Sequence, residues 1–201
     1  MTDHPYYPPG EQKRLVVGIS GATGIVYGIR LLEVLRDTDV ETHLVVSRPG
    51  LMTLNYETDM TRDELYALAD HVYSPRDVGA AISSGSLLTL GMVVAPCAVK
   101  SAAEIASGAT QTLLTRAADV TLKEHRRLVL MVRESPLHTG HLRTLTEASE
   151  IGAIIMPPMP AFYPKPDTIE DMIDHTVGRT LDLFGIANSL SERWTGKPAQ
   201  Q

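Results

Sequence analysis

A glycine-rich segment, Gly18-Ile-Ser-Gly-Ala-Thr-Gly24, lies between a short aliphatic run and a stretch with helical periodicity. Unpaired N–H groups at a helix N-terminus, together with the helix dipole, favour phosphate binding. The spacing lacks the Gly-Lys-Ser/Thr ending of a Walker A loop, and no acidic residue follows the second strand to bind a ribose. The segment therefore indicates a mononucleotide rather than NAD, unless it is only a tight turn that packs a helix against a strand.

Charged residues recur in the stretch 113–127, where Arg116, Asp119 and Lys123 share one helical face at spacings of three and four. Such spacing is typical of a solvent-facing ion-pair ladder. However, Arg116 and Asp119 lie among Leu, Ala and Val, which favours an inward orientation. A second charged pair, Arg133-Glu134, directly follows an apolar strand. The position of this pair favours a functional role.

The lone cysteine, Cys97, follows Pro96 at the end of a predicted strand. A nucleophilic role would need a histidine and an Asn or Asp partner, and no such arrangement is apparent, so we interpret Cys97 as a small buried filler. His138 and His141 lie three residues apart without a carboxylate at metal-ligand spacing. The sequence therefore predicts no metal site.

Strands alternate with helices along the chain. Apolar runs predict buried strands at 14–19, 42–46, 90–95 (ended by Pro96), 128–132 and 153–156. Periodic stretches predict helices at 25–36, 62–69, 99–106, 138–149 and 168–186. This alternation predicts an α/β fold with a parallel sheet, whose ligands bind beyond the carboxyl ends of the strands. The candidate site therefore comprises the segments 20–24, 47–48, 96–101, 133–134 and 157–163.

The composition limits the function classes. The 201-residue chain has a formal net charge of -6, which argues against general nucleic-acid binding, and its single cysteine excludes a disulfide framework. No apolar run reaches the roughly 18 to 20 residues that cross a bilayer, so we expect a cytoplasmic protein without a membrane partner. We expect a Pro-rich N-terminal arm at 1–12, a single α/β domain at 13–190 and a C-terminal tail at 191–201.

Nearly the whole chain resembles the UbiX-like flavin prenyltransferase family. The matching segments are GISGATG, THLVVS, YET, AISSGS, GMVVAPC, LLTRAADVTLKE, LVLMVRE, PPMPAFY and IEDMIDHTVGRTLDLFGI. Within that family, the sequence most resembles the B-type subunits encoded beside phenolic-acid decarboxylases, which tend to have Thr at the position of Thr23 in the glycine loop. The resemblance implies a three-layer Rossmann-like flavoprotein fold, with helices on both faces of the sheet and 13–190 as one flavin-binding domain.

The resemblance also implies an activity, in which the enzyme joins the dimethylallyl group of dimethylallyl monophosphate to N5 and C6 of reduced FMN. The product, prenylated FMN, would serve a UbiD-like decarboxylase, and the enzyme would be a homo-oligomer, a dodecamer, with its site at a subunit junction. By motif, the implied catalytic residues are Glu57, Glu134 and Lys123, and the implied prenyl-phosphate contacts are Lys123, Tyr163 and Arg179. The implied flavin contacts are Ser20, Gly21, Ala22, Thr23, Ser47, Ala98, Val99, Lys100, Ser101 and Arg133.

One residue departs from the family pattern, because Ala98 stands where most relatives have Ser after Pro-Cys. The missing hydroxyl removes a hydrogen bond worth about 1 kcal/mol. The group that takes the C6 proton stays open between Glu57, Glu134 and the released phosphate. Two other functions also stay open. An FMN-dependent cysteine decarboxylase would need a catalytic His and a substrate clamp that we do not place, and a non-catalytic flavin carrier would not need the acidic and basic residues.

Overall fold

Six apolar segments form strands in the computed structural model, which describes residues 7–8, 10–190 and 196. Most of the predicted arm at 1–12 and of the predicted tail at 191–201 lies outside the described residues. The strands are β1 (Arg14–Ile19), β2 (Glu41–Val46), β3 (His71–Tyr73), β4 (Gly91–Cys97), β5 (Arg127–Val132) and β6 (Ala153–Ile155).

These strands pair in parallel, in the order β3-β2-β1-β4-β5-β6. The sheet grows outward from β1 in one direction and from β4 in the other. Strand order therefore reverses between β1 and β4, which is where open α/β sheets bind their ligands.

Seven helices cover the sheet in the described part of the chain. They are α1 (Ile25–Leu35), α2 (Arg48–Glu57), α3 (Arg62–Tyr66), α4 (Val99–Ala106), α5 (Leu113–Lys123), α6 (Thr139–Glu150) and α7 (Ile169–Leu183). Capping boxes begin α3, α5 and α7, at Thr61, Thr112 and Thr168. Among the described residues, no helix combines the length and the apolar character that crossing a membrane would require.

Two apolar layers hold the helices to the sheet because successive strand residues point to opposite faces. Val17 and Leu44 belong to a core that includes residues of α1 and α7. Val16 and Val45 belong to a second core that includes residues of α4, α5 and α6. The predicted parallel sheet with helices on both faces is confirmed.

Four details of the predicted elements were wrong. The prediction omitted α2 and the short strand β3, and it extended α3 to residue 69. It also ended a strand before Pro96, whereas β4 continues to Cys97. A register shift between Val94 and Cys97 accommodates the proline, which lacks an N–H group for regular pairing.

Candidate functional site

Ser20 joins the ends of the two central strands. Its buried hydroxyl donates to the carbonyl of Pro96 at 3.1 Å and accepts the N–H of Ala98 at 2.7 Å. These bonds connect the end of β1 to the segment that begins α4. Ser20 is a predicted flavin contact, and in this structure its hydroxyl shapes the loop from within the protein.

The loop after Ser20 passes close to the start of α2. A Cβ atom added to Gly21 would lie 2.2 Å from Cβ of Pro49, so only glycine fits at this approach. Gly21 and Thr23 are exposed, whereas Ala22 is buried. The predicted flavin-binding loop thus exposes its backbone and the Thr23 side chain to solvent where the strand order reverses, between β1 and β4.

Glu57 occupies the N-terminus of α1. Its carboxylate accepts the N–H of Gly24 at 2.9 Å and the N–H of Ile25 at 3.0 Å. Gly24 has a φ of 95°, a conformation that glycine adopts without strain, and it offers no side-chain cap of its own. The last residue of α2 therefore satisfies the N–H groups that the sequence predicts to bind a phosphate.

Two further helix N-termini lie at the same edge of the sheet. Ser47 caps α2 by accepting the N–H of Gly50 at 3.1 Å. By contrast, α4 begins at Ala98 without a side-chain cap. Val99 and Ser101 are half-buried there, and the Lys100 ammonium pairs with Glu104 at 2.6 Å. The first turn of α4 therefore suits an external anion.

Arg133 and Glu134 lie next to this turn. The N–H of Arg133 donates to the carbonyl of Cys97 at 3.1 Å, which places both charged side chains beside the end of β4. Both residues are exposed, and the Glu134 carboxylate accepts the N–H of Ser135 at 3.0 Å. A cation and a carboxylate thus flank the candidate flavin site.

Cys97 is unsuited to nucleophilic chemistry. Its side chain is fully buried, and this burial raises the pKa of the thiol to about 12. A protonated thiol without access to solvent is a poor nucleophile. The prediction of a buried filler is confirmed.

Lys123 and Arg179 lie at the other edge of the sheet. Lys123 ends α5 only a few residues before β5 begins, while Glu134 follows the end of β5. At about 3.3 Å per residue, the strand separates these two positions by about 20 Å. Arg179 lies one turn before the end of α7, whose Leu183 carbonyl accepts a hydrogen bond from Arg127 at the start of β5. One chain therefore does not bring the predicted acids and these cations together.

The segment 156–163 contains Tyr163, the third predicted phosphate contact. It follows β6 at the carboxyl edge, and the exposed fractions of Met159, Phe162 and Tyr163 are 74%, 69% and 88%. Exposed apolar side chains that cluster in this way commonly mark an interface.

The predicted ladder on α5 forms only in part. Arg116 pairs with Asp119 at 2.8 Å, and both side chains are about one-third exposed. Lys123 pairs instead with its neighbour Glu124.

Sequence reasoning missed Arg126. Its guanidinium donates to the carbonyls of Gly85 and Leu87, at 2.7 and 2.6 Å, and so holds the AISSGS loop beside Lys123. A Cβ atom on Gly85 would lie 2.9 Å from Nζ of Lys123. Gly85 was the sequence feature that could have indicated this close approach of the loop to Lys123.

The fold and this edge of the sheet define a class of protein. A family model described as Flavoprotein matches residues 5–181. The flavin prenyltransferase UbiX of Escherichia coli K12 is 58% identical over 187 residues, covering 92% of this chain and 99% of that protein. The chain is a flavoprotein, and within that class it belongs to the UbiX-like flavin prenyltransferase family.

Solved structures agree with this assignment. AnUbiX in complex with FMN and dimethylallyl pyrophosphate is 49% identical, with a TM-score of 0.91 and coverage of 94% of this chain and 100% of that one. A dodecameric FMN-dependent UbiX-like decarboxylase from Escherichia coli O157:H7 is 47% identical, with a TM-score of 0.88 and coverage of 91% and 100%. The FMN-dependent cysteine decarboxylase TvaF, at 16% identity and a TM-score of 0.60, shares the fold alone.

Proposed function

We propose that this protein is a flavin prenyltransferase that joins the dimethylallyl group of dimethylallyl monophosphate to N5 and C6 of reduced FMN. The prenylated FMN passes to a UbiD-like decarboxylase. The observation that carries the proposal is the 58% identity to a flavin prenyltransferase over almost its whole length. The alternatives of a cysteine decarboxylase and a flavin carrier become outcomes of the test below.

The residues at the carboxyl edge fit a phosphate-bearing flavin. The first turn of α4 has no side-chain cap, so Val99, Lys100 and Ser101 offer N–H groups and a cation to a phosphate. Ser47 and Arg133 add a hydroxyl and a second cation from the neighbouring strand ends. Because Glu57 already binds the N–H groups of Gly24 and Ile25 at the start of α1, we assign the FMN phosphate to α4 and α2. We assign the loop 21–23, in which Gly21 and Thr23 are exposed, to the ribityl chain and the ring.

The reaction needs stabilisation of a leaving phosphate and control of one proton. Bound reduced FMN would supply N5, which would bond to the allylic carbon as the bond from that carbon to the phosphate oxygen breaks. It would also supply C6, which would lose its proton and bond to the alkene as the alkene takes up a proton. Lys123, Arg179 and the Tyr163 hydroxyl donate charge-assisted hydrogen bonds to the phosphate as its charge grows. Glu57 and Glu134 accept or relay the C6 proton at the flavin edge. The Glu57 carboxylate is held for this role by the N–H groups of Gly24 and Ile25.

The complete site is proposed to form between subunits. Lys123 and Arg179 lie across the sheet from Glu57 and Glu134, so a neighbouring chain supplies the cations that face the flavin. The exposed apolar segment 156–163 is the proposed contact surface, and a dodecamer is the proposed assembly. Light scattering at micromolar concentration tests this, because a monomer contradicts it.

Mass spectrometry of the flavin tests the activity. We expect the protein with reduced FMN and dimethylallyl monophosphate to yield a flavin heavier by one prenyl unit. A parallel reaction with dimethylallyl pyrophosphate tests the choice of donor. Bound but unmodified FMN with either donor would support a carrier, and loss of carbon dioxide from a cysteine-terminated peptide would support a cysteine decarboxylase.

A further inference from the structure

A cluster of two histidines and a carboxylate lies on the outer strands, away from the flavin site. Glu41 and His43 are two residues apart in β2, so their side chains share a face of the sheet. His71 begins β3 and is the direct register partner of His43. The two imidazole rings stack with centroids 4.8 Å apart.

The potential ligand atoms of this cluster converge. Nε2 of His43 lies 2.9 Å from Oε1 of Glu41, and Nε2 of His71 lies 3.5 Å from the same oxygen. One ligand atom from each residue fits within 4.8 Å of the others. Ligands of a tetrahedral zinc ion, each about 2.0 to 2.1 Å from the metal, lie about 3.3 Å apart. The His71 side chain is half exposed and must turn to bring Nε2 to that geometry.

The surroundings also suit a metal ligand set. Tyr73 lies 2.9 Å from Nδ1 of His43 and can orient the ring as the outer partners of metal-bound histidines do. Burial lowers the pKa of His43, which favours the neutral imidazole, the form that binds metals. Partial burial acts to raise the pKa of Glu41, but hydrogen bonds from His43 and Arg14 outweigh it and keep the carboxylate ionised.

We propose that Glu41, His43 and His71 bind one divalent transition-metal ion of the zinc class, which links β3 to β2. Two imidazoles and one carboxylate form a ligand set typical of zinc, with the fourth position open to water beside His71. On binding, the ion replaces the proton on Nε2 of His43, and Nδ1 carries a proton that it donates to the Tyr73 oxygen. The Arg14 guanidinium, 3.0 Å from Glu41, lowers the net negative charge, so the affinity is modest.

Calorimetric titration of the metal-free full chain with zinc chloride tests this site. We expect one zinc per chain, with the affinity falling at least about tenfold in His71→Gln and about tenfold in Tyr73→Phe, which keeps the ligands but loses the orienting hydroxyl. His141→Gln is the matched control, because it removes a histidine of the His138–His141 pair at the start of α6. This control should bind like the parent.

Three titration results overturn the proposal. They are no stoichiometric zinc binding by the parent, an unchanged affinity in His71→Gln, and a loss of binding in His141→Gln equal to that in His71→Gln. Each variant's circular dichroism is compared with the parent's, and Co²⁺ absorption in the parent and in His71→Gln gives a second reading. Retention of the parent's cobalt spectrum by His71→Gln also contradicts the assignment.

Discussion

The carboxylate of Glu57 accepts a hydrogen bond from the backbone N–H of Gly24 at 2.9 Å. This contact fixes the end of α2 on the start of α1. It lies beside the loop that follows β1, where the strand order reverses between β1 and β4. It holds an acidic group at the carboxyl edge of the sheet. In the proposed site, Lys123 and Arg179 approach this acid from another chain.

Glu57→Gln should separate binding from turnover. The amide keeps the size of the side chain but loses charge and proton acceptance, so FMN still binds while turnover falls about 10²- to 10⁴-fold. Fluorescence titration of FMN and mass analysis of the product measure the two effects. Glu64→Gln is the control, because Glu64 likewise accepts a backbone N–H, that of Thr61, at a helix start but lies on α3. An unchanged prenylation rate in Glu57→Gln would remove Glu57 from the reaction.

Arg179→Ala should weaken use of the prenyl phosphate and spare FMN. The guanidinium is about half exposed and pairs with Asp182 at 3.3 Å, so it is available for a charge-assisted contact to a ligand. We expect kcat/KM for the donor to fall with little change in FMN affinity, measured by initial rates at varied donor concentration. Arg143→Ala on α6, which removes another exposed arginine, is the control. Loss of FMN from Arg179→Ala would contradict the assignment.

Ala98→Ser should stabilise the protein. Ala98 is the N-cap of α4, with the extended backbone (φ -71°, ψ 147°) in which a serine side chain caps well. A serine at such a position adds about 1 kcal/mol to the free energy of unfolding. A higher midpoint of urea denaturation measures this gain. An unchanged midpoint in Ala98→Ser would contradict this and mean that other contacts already satisfy the N–H groups at the start of α4.

Cys97 should resist alkylation in the folded protein. Burial raises the pKa of its thiol from 9.0 to about 12, so the folded chain keeps the thiol protonated at pH 9. The unfolded chain ionises there, so the contribution of this group to stability is lost as the pH rises from 9 toward 12. Iodoacetamide at pH 9 should label the protein in urea but not in buffer. Rapid labelling of the folded protein would show that the site opens.

The sequence was sufficient for the central sheet because β1, β2, β4 and β5 are continuous buried runs. It was insufficient for β3, a three-residue edge strand, and for α2, whose apolar residues show little periodicity despite the Ser47 cap and Pro49. The separation of Lys123 and Arg179 from Glu57 depends on which end of each helix meets the sheet edge. Spacing along the chain carries no information on that distance, nor on the convergence of Glu41, His43 and His71.

Mixed oligomers test the shared active site most directly. Glu57→Gln and Arg179→Ala are each expected to be impaired, but co-expressed chains should form junctions in which one subunit supplies Glu57 and its neighbour supplies Arg179. With random assembly, roughly a quarter of the junctions carry both native residues. We predict that the mixed oligomer prenylates FMN at well above the rate of either variant alone, as measured by the mass of the flavin. Activity no higher than that of the two separate variants would contradict a site built between subunits.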